Sequence, residues 1–317
     1  MPASFFSGRG KTELTPVPDK QEDRVERIGV SAALAAYIFW GLAPLYFKLI
    51  QEVAALEVIA HRILWSIPLL AGFLFLRDRR AFWQRVRLPG RTIMALLLSG
   101  TLVVSNWLIF VWAVTNDRIL PTSLGYFIVP LVNFLFGYLF LHERLTLIQR
   151  IGVSIAAAGT VYLAWFLGTP PWISLGLAFT FGFYGLLRKR LDVGPMVGLL
   201  WETLLLLPLA LLFMFWSLSN GTLSFADGSV SLDILLVLAG LVTILPLIWF
   251  NVAARSLSLT TLGFFQYIAP TLTFALAVFI YDEPFTQGHA VAFGCIWFAL
   301  IMVSFESLIR SRRTVRR

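Results

Sequence analysis

The chain has 317 residues, of which 58% are hydrophobic and only 13% charged, with a mean hydropathy of +0.82. A soluble domain of this size needs roughly a quarter of its residues charged to cover its surface, so a soluble globular fold is excluded. The net charge of +8 could suggest a nucleic-acid partner, but the basic residues lie in short loops between apolar runs, a pattern of membrane topology and lipid headgroups.

Apolar runs of about 20 residues recur, the length of a helix across a hydrocarbon core of about 30 Å. Lipid offers the backbone no hydrogen bonds, so helices are the expected form, and the alternation of a membrane barrel is absent. Residues 1–28 are polar and of mixed charge, without the apolar core of a signal peptide, and read as a tail. Ten spans follow: 29–50, 55–76, 92–114, 120–141, 148–167, 170–187, 195–218, 232–253, 258–281 and 286–309. Residues 310–317 form a basic tail. No connecting segment is long enough for a separate soluble domain.

In chain order, the first span carries Trp40 and, at its end, Lys48, whose long stem can reach the headgroups. Glu57 opens the second span, where it can sit in water or pair with Lys48; His61 and Arg62 lie two turns deeper. The stretch 75–91 mixes arginines with Phe82 and Trp83 and reads as a segment lying along an anionic surface. Asn106 and Trp107 sit in the third span, and Tyr126, Pro130 and Asn133 in the fourth, which ends near Glu143. Gly152, Ala156 and Gly159 give the fifth span a small-residue face for close packing, within the fold or in a homodimer. Tyr184 follows in the sixth span, Trp201 and Glu202 in the seventh, Asn251 in the eighth, and Gln266, Tyr267 and Pro270 in the ninth, which closes at Glu283.

Placing the N-terminus in the cytoplasm and alternating puts all but Lys48, Arg62 and Arg118 of the 25 lysines and arginines in the tails and on the inner side. Orientation by cytoplasmic positive charge predicts this bias. Both termini are therefore expected in the cytoplasm.

The two halves also match at one constant offset. Pro130 pairs with Pro270, Phe134 with Phe274, Glu143 with Glu283, Gly100 with Gly240, Phe110 with Phe250, Ala113 with Ala253, and Pro68 with Pro208. Duplication of a unit with an odd number of spans inserts the second copy upside down. The predicted fold class is an all-α membrane protein of ten transmembrane helices, built as two inverted five-helix repeats over 29–167 and 170–309. Secondary transporters built this way hold substrate near the midplane, beside helices interrupted at matching places. Pro130 and Pro270 are the candidate interruptions, since each removes a backbone donor. Glu143 and Glu283 read as helix-start carboxylates facing a helix dipole, with Pro284 suited to a first turn.

The stretch SLGYFIVPLVNFLFGYLFLHERLTLIQRIGVSIAAAGTVYLAW, 123–165, resembles the EamA domain of the drug/metabolite transporter superfamily. AAYIFWGLAPLYFKL, HRILWS, NWLIFVWAV and TLGFFQYIAPTL are similar to its RarD branch. The resemblance covers roughly residues 28–309. It implies a ten-helix permease of the bacterial inner membrane, an exporter of small metabolites.

Ionisable groups inside a membrane are costly and mark interior surfaces. Arg62 and Glu202 stand at the repeat offset with opposite signs. Inversion separates them in depth by on the order of 10 Å, so direct pairing is strained. Arg62 is suited to an anionic group, and Glu202 to a cationic group or a coupling proton. Trp40, His61, Asn106, Trp107, Tyr126, Asn133, Tyr184, Trp201, Asn251, Gln266 and Tyr267 complete the candidate pathway, a mixed polar and aromatic lining for an amphipathic organic solute. No catalytic residue, metal site or cofactor is expected: one cysteine, three scattered histidines, and no HExxH, P-loop or GxSxG motif. A small-molecule substrate and the lipid bilayer are the expected partners. Proton coupling and a homodimer remain open, as do two other functions: a lipid-handling protein or membrane enzyme without solute flux, and a passive channel.

Overall fold

The computed structural model describes residues 20–77, 79–142, 145–257 and 265–315. The helices are α1 (Lys20–Leu49), α2 (Ala55–Arg77), α3 (Arg79–Val86), α4 (Gly90–Thr115), α5 (Ile119–Leu141), α6 (Leu147–Leu167), α7 (Trp172–Lys189), α8 (Pro195–Ser219), α9 (Val230–Ser256), α10 (Ile268–Ala275) and α11 (Gln287–Val315). The described residues contain no strand. Eight of these helices, all but α3, α7 and α10, are long and apolar enough to cross a membrane. Arg188 and Lys189 occupy the last turn of α7, which dilutes its apolar content. The ninth predicted span, 258–281, appears as α10 continued by a π-helical turn, Leu276–Ile280, with 258–264 outside the described residues.

Three boundaries differ from the sequence reading. α1 begins at Lys20, inside the segment read as a tail. The polar run KQEDRVER spaces opposite charges three and four residues apart, as in Asp23 and Arg27, which favours a helix even outside lipid. α11 begins at Gln287, beyond Pro284, so that proline does not open the helix. Pro270 sits in the first turn of α10, whereas Pro130 lies in the middle of α5, where the helix runs on around it. Glu143, Arg144, the basic tail residues 316–317 and most of TLGFF, 261–265, lie outside the described residues.

Caps fix the visible ends. Thr146 and Gln149 form a reciprocal capping box at the start of α6, and Gly168 closes that helix at φ 69°, where a side chain would be strained.

The packing brings the start of α1 and the end of α11 to one end of the bundle, called the termini end below. Near the start of α1, Gly29 lies against Ser256 and Leu257, and near the start of α6, Gly152 lies against Val303 of α11. The other end, called the far end below, holds residues 50–54, 116–118, 168–171, 220–229 and 281–286. α6 packs along α11, α5 along α7, α1 along α9, and α2 against α8 and α9. α4 lies on α7 and α8, and α10 on α1 and α5. The small face of α6 is filled from within the chain: Gly152 meets α11 at Val303 and Gly159 meets it at Cys295.

Close approaches recur in matched places. Gly41 of α1 admits Leu272 of α10, and Gly182 of α7 admits Val132 of α5; added Cβ atoms would come within 2.8 Å in both cases. Gly100 of α4 faces the backbone of Glu202 in α8, and Gly240 of α9 faces the backbone of Trp65 in α2.

The two ends are packed differently. One large apolar cluster, with Phe47, Ile50, Val53, Val114, Ile119, Leu120 and Leu276, packs the far end and continues along α5, α7, α6 and α11 as far as Phe136, Ala299 and Leu300. At the termini end the rest of the core divides. Leu70, Leu74, Val197, Leu199, Leu200 and Ile244 form one separate cluster, and Ala32, Ala33, Tyr37 and Ala253 another.

Candidate functional site

Polar groups tie the far end shut. Lys48 pairs with Asp117. Glu57 is buried and its Oε1 accepts from the amides of Ser224 (2.8 Å) and Phe225 (3.0 Å) in the α8–α9 connection. It therefore neither sits in water nor pairs with Lys48, because a carboxylate at a loop of unpaired amides satisfies both at once. Asp233 accepts from Ala226 in the same loop, and the Phe225 ring lies 4.8 Å from that of His61. Glu283 accepts from the amides of Ile119 (2.5 Å) and Leu120 (2.8 Å). It faces a helix N-terminus as expected, but that of α5 in the other half, not of the helix after it. Burial pushes its carboxyl pKa up, and these two donors and the charge of Lys48 pull it back.

Arg62 lies below this seal, 7% exposed. Its Nε donates to Thr243 Oγ1 at 2.9 Å, and its guanidinium stacks on Trp107 at 4.3 Å and on Phe47 at 5.4 Å. His61, its neighbour in sequence, accepts from Trp65 Nε1 at 3.0 Å, leaving Nε2 enclosed and without a partner among the described residues.

Glu202 lies toward the termini end and is fully enclosed. Ser99 donates to it at 2.5 Å and Tyr184 at 3.4 Å, and Arg188 Nε stands 3.9 Å away. Arg188 also donates to the carbonyls of Val193 and Gly194. Gly198 makes room for this guanidinium, since a Cβ there would overlap it at 2.0 Å. The strained direct pair of Arg62 with Glu202 is not formed: each has partners at its own depth.

The remaining candidates separate into braces and exposed groups. Asn106 donates to Leu177 O and Thr180 Oγ1, both at 2.9 Å, and accepts from Tyr126 at 3.1 Å, so it joins α4, α5 and α7 with its amide saturated. Trp201 donates to Val86 O at the end of α3, and Asn251 to Leu247 O in its own helix. Trp40 packs on Tyr37 and Phe250. Pro270 O accepts from Ser123 at 2.7 Å. Gln266 and Tyr267 are half-buried where α10 begins, and Asn133 is exposed in α5, the most buried of the spans. Its offset mate Thr273 is 3% exposed and donates to Gly41 O. Sequence reasoning missed Ser99, Thr243 and Arg188. Arg188 carried a signal, for it stands at the repeat offset from Lys48 and each ends the first helix of its half.

A multi-pass helical membrane protein with charged groups enclosed at two depths belongs to the class of membrane transporters, and the known proteins it resembles agree. The EamA-like transporter family matches residues 27–165. Protein RarD of Salmonella typhi is 45% identical over 90% of this chain and 98% of its own length. An uncharacterized transporter of Vibrio cholerae is 44% identical over 92% and 95%. The chloramphenicol-sensitive protein RarD of Pseudomonas aeruginosa is 32% identical over 93% and 99%. A solved crystal structure, 18% identical, shares the fold with a TM-score of 0.58 over 90% of this chain and 98% of that one. The chain belongs to the EamA-type transporters of the drug/metabolite transporter superfamily, in the RarD branch.

Proposed function

We propose that the protein is a secondary carrier of small organic solutes that works by exchanging the conformations of two inverted five-helix repeats, 29–167 and 170–309. One observation carries this reading: helix contacts between the halves come in exchanged pairs. α1 packs on α9 as α7 packs on α4. α2 packs on α9 as α8 packs on α4, and α1 packs on α10 as α7 packs on α5. The like pairs α2–α8, α5–α10 and α6–α11 face each other. Such a bundle has two equivalent ends and can seal either one. The large continuous core that includes the far end, beside two smaller clusters apart from it, supports reading this as a state closed at the far end.

The basic segments cluster at the termini end, which supports placing both termini in the cytoplasm of a bacterium and the far end in the periplasm. The solute then enters from the cytoplasm in the state described, and export is the direction. Asn133, Tyr184, Trp201, Asn251, Gln266 and Tyr267 lie in the half that opens. Glu202, with Ser99 and Tyr184 on its carboxylate, is the group placed to carry a coupling proton.

The test is flux in proteoliposomes. Saturable uptake with counterflow is expected for a carrier, with chloramphenicol as the first solute to try because one relative bears its name. Flux that never saturates indicates a channel, and chemical change without flux indicates an enzyme. Glu202→Gln is expected to uncouple flux from a pH gradient; unchanged coupling removes the proton role.

A further inference from the structure

The enclosed carboxylates of the bundle are all engaged. Glu57 holds loop amides, Glu283 holds the α5 amides, and Glu202 faces Ser99 and Arg188. Arg62 is the exception on the cationic side. Among the described residues no carboxylate lies within 4.0 Å of it, in contrast to Lys48, which pairs with Asp117, and Arg188, which pairs with Glu202. Only its Nε makes a hydrogen bond. Nη1 and Nη2 have no partner among the described residues, yet neither is among the fully enclosed orphan atoms, which are His61 Nε2, Ser66 Oγ and Arg188 Nη1. The fork of the guanidinium is thus not fully enclosed. One turn along the same helix face, the Ser66 hydroxyl also lacks a partner.

A buried cation without a counter-charge is costly. The carboxylates of α2 and α9, Glu57 and Asp233, are taken up by amides of the α8–α9 loop, and α4 carries none. We infer that a bound solute supplies it: Arg62 is the seat of a carboxylate on a ring-bearing monoanion. The planar fork of arginine fits a carboxylate with two parallel hydrogen bonds. One arginine balances a single negative charge, whereas a phosphate dianion calls for more cations. Trp107 and Phe47 flank the guanidinium, and Phe110 stands 5.9 Å from both Phe47 and Tyr126. A solute held there by its carboxylate lays its apolar body on Trp107 and Tyr126, the members of this aromatic group that are only half-buried. This inference rests on the carrier reading, because it assigns the seat to the transported solute.

The experiment is ligand-dependent melting of the full-length protein in detergent, with 3-phenylpropionate as the probe. The amide of that acid, the matching phosphonate and sodium chloride are the controls. The acid is expected to raise the melting temperature in a saturable manner, and the controls are not. Arg62→Gln should weaken the acid by about thirtyfold or more, as expected for loss of one member of a buried charge pair. Thr243→Val keeps the charge but frees the fork from its brace, and should weaken the acid several-fold. If Arg62→Gln does not fold, Thr243→Val and Arg62→Lys decide, and affinity equal to the parent in both overturns the assignment. No stabilisation by the acid, equal stabilisation by acid and amide, or retention of the acid by a folded Arg62→Gln also overturns it. Phosphonate or chloride binding as tightly as the acid overturns the carboxylate class. Binding needs no flux, so the two readings fail separately: acid binding without transport sinks the carrier, and transport without acid preference sinks the seat.

Discussion

Arg62 and Glu202 occupy the same position in the two halves, yet their surroundings have opposite characters. Glu202 is balanced from within: a serine, a tyrosine and an arginine converge on its carboxylate. Arg62 has one threonine and two aromatic faces, and its two outer nitrogens are free among the described residues. A charge whose partners are all in the chain contributes to the fold, while a charge left open is a cost that a ligand can offset. The stability of variants should therefore separate the two sites.

The largest effect is expected where the balanced site is broken. Arg188→Leu leaves the Glu202 carboxylate enclosed without a cation, which costs about 3 kcal/mol or more. Arg62→Met removes a charge with no counter-ion, so its melting temperature should stay level or rise while transport is lost. Thermal melts and flux assays on the two variants check this, and a large loss of stability in Arg62→Met would mean that its charge is balanced within the chain after all. The matched glycines come next. Gly240→Ala drives a Cβ to 2.6 Å from the Trp65 backbone, which cannot swing aside, so a cost of about 2 kcal/mol follows. Gly100→Ala meets Glu202 at 3.2 Å and should cost less than about 1 kcal/mol, since a few tenths of an ångström suffice. Denaturation curves that rank the two the other way would contradict the packing. Ser99→Ala is expected to fall between the two glycine variants. It removes one hydrogen bond to a carboxylate that keeps two other partners, a loss of about 1.5 kcal/mol in the same melts.

Much of the fold was legible because lipid enforces it. Apolar runs must be helices of a set length, and eight of the ten predicted spans meet that standard in the structure. The proposed duplication rests in the sequence on pairs such as Pro130 with Pro270 and Gly100 with Gly240, residues whose shape constrains a helix contact. What stayed hidden was partnership across helices. Ser99 and Thr243 are ordinary span residues until folding sets them beside Glu202 and Arg62. Glu283 could be assigned to a helix start from the sequence, but the choice of helix depends on how α5 and the α10–α11 connection meet. Asn106 read as a pathway residue because a span amide is costly in lipid. The structure saturates it between three helices, and nothing in its local sequence distinguishes a brace from a lining group.

The proposed carrier mechanism requires the two halves to exchange roles, one end opening as the other shuts. Asn133 and Thr273 test it directly, being offset mates of which one is exposed and the other buried. With Cys295 replaced by alanine, Asn133→Cys and Thr273→Cys are each treated with a membrane-impermeant maleimide in vesicles of known orientation. The account predicts that Asn133→Cys reacts from the side of the termini and Thr273→Cys from the opposite side, and that solute changes the two rates in opposite directions. Reaction of both from one side, or of neither from any side, would contradict it.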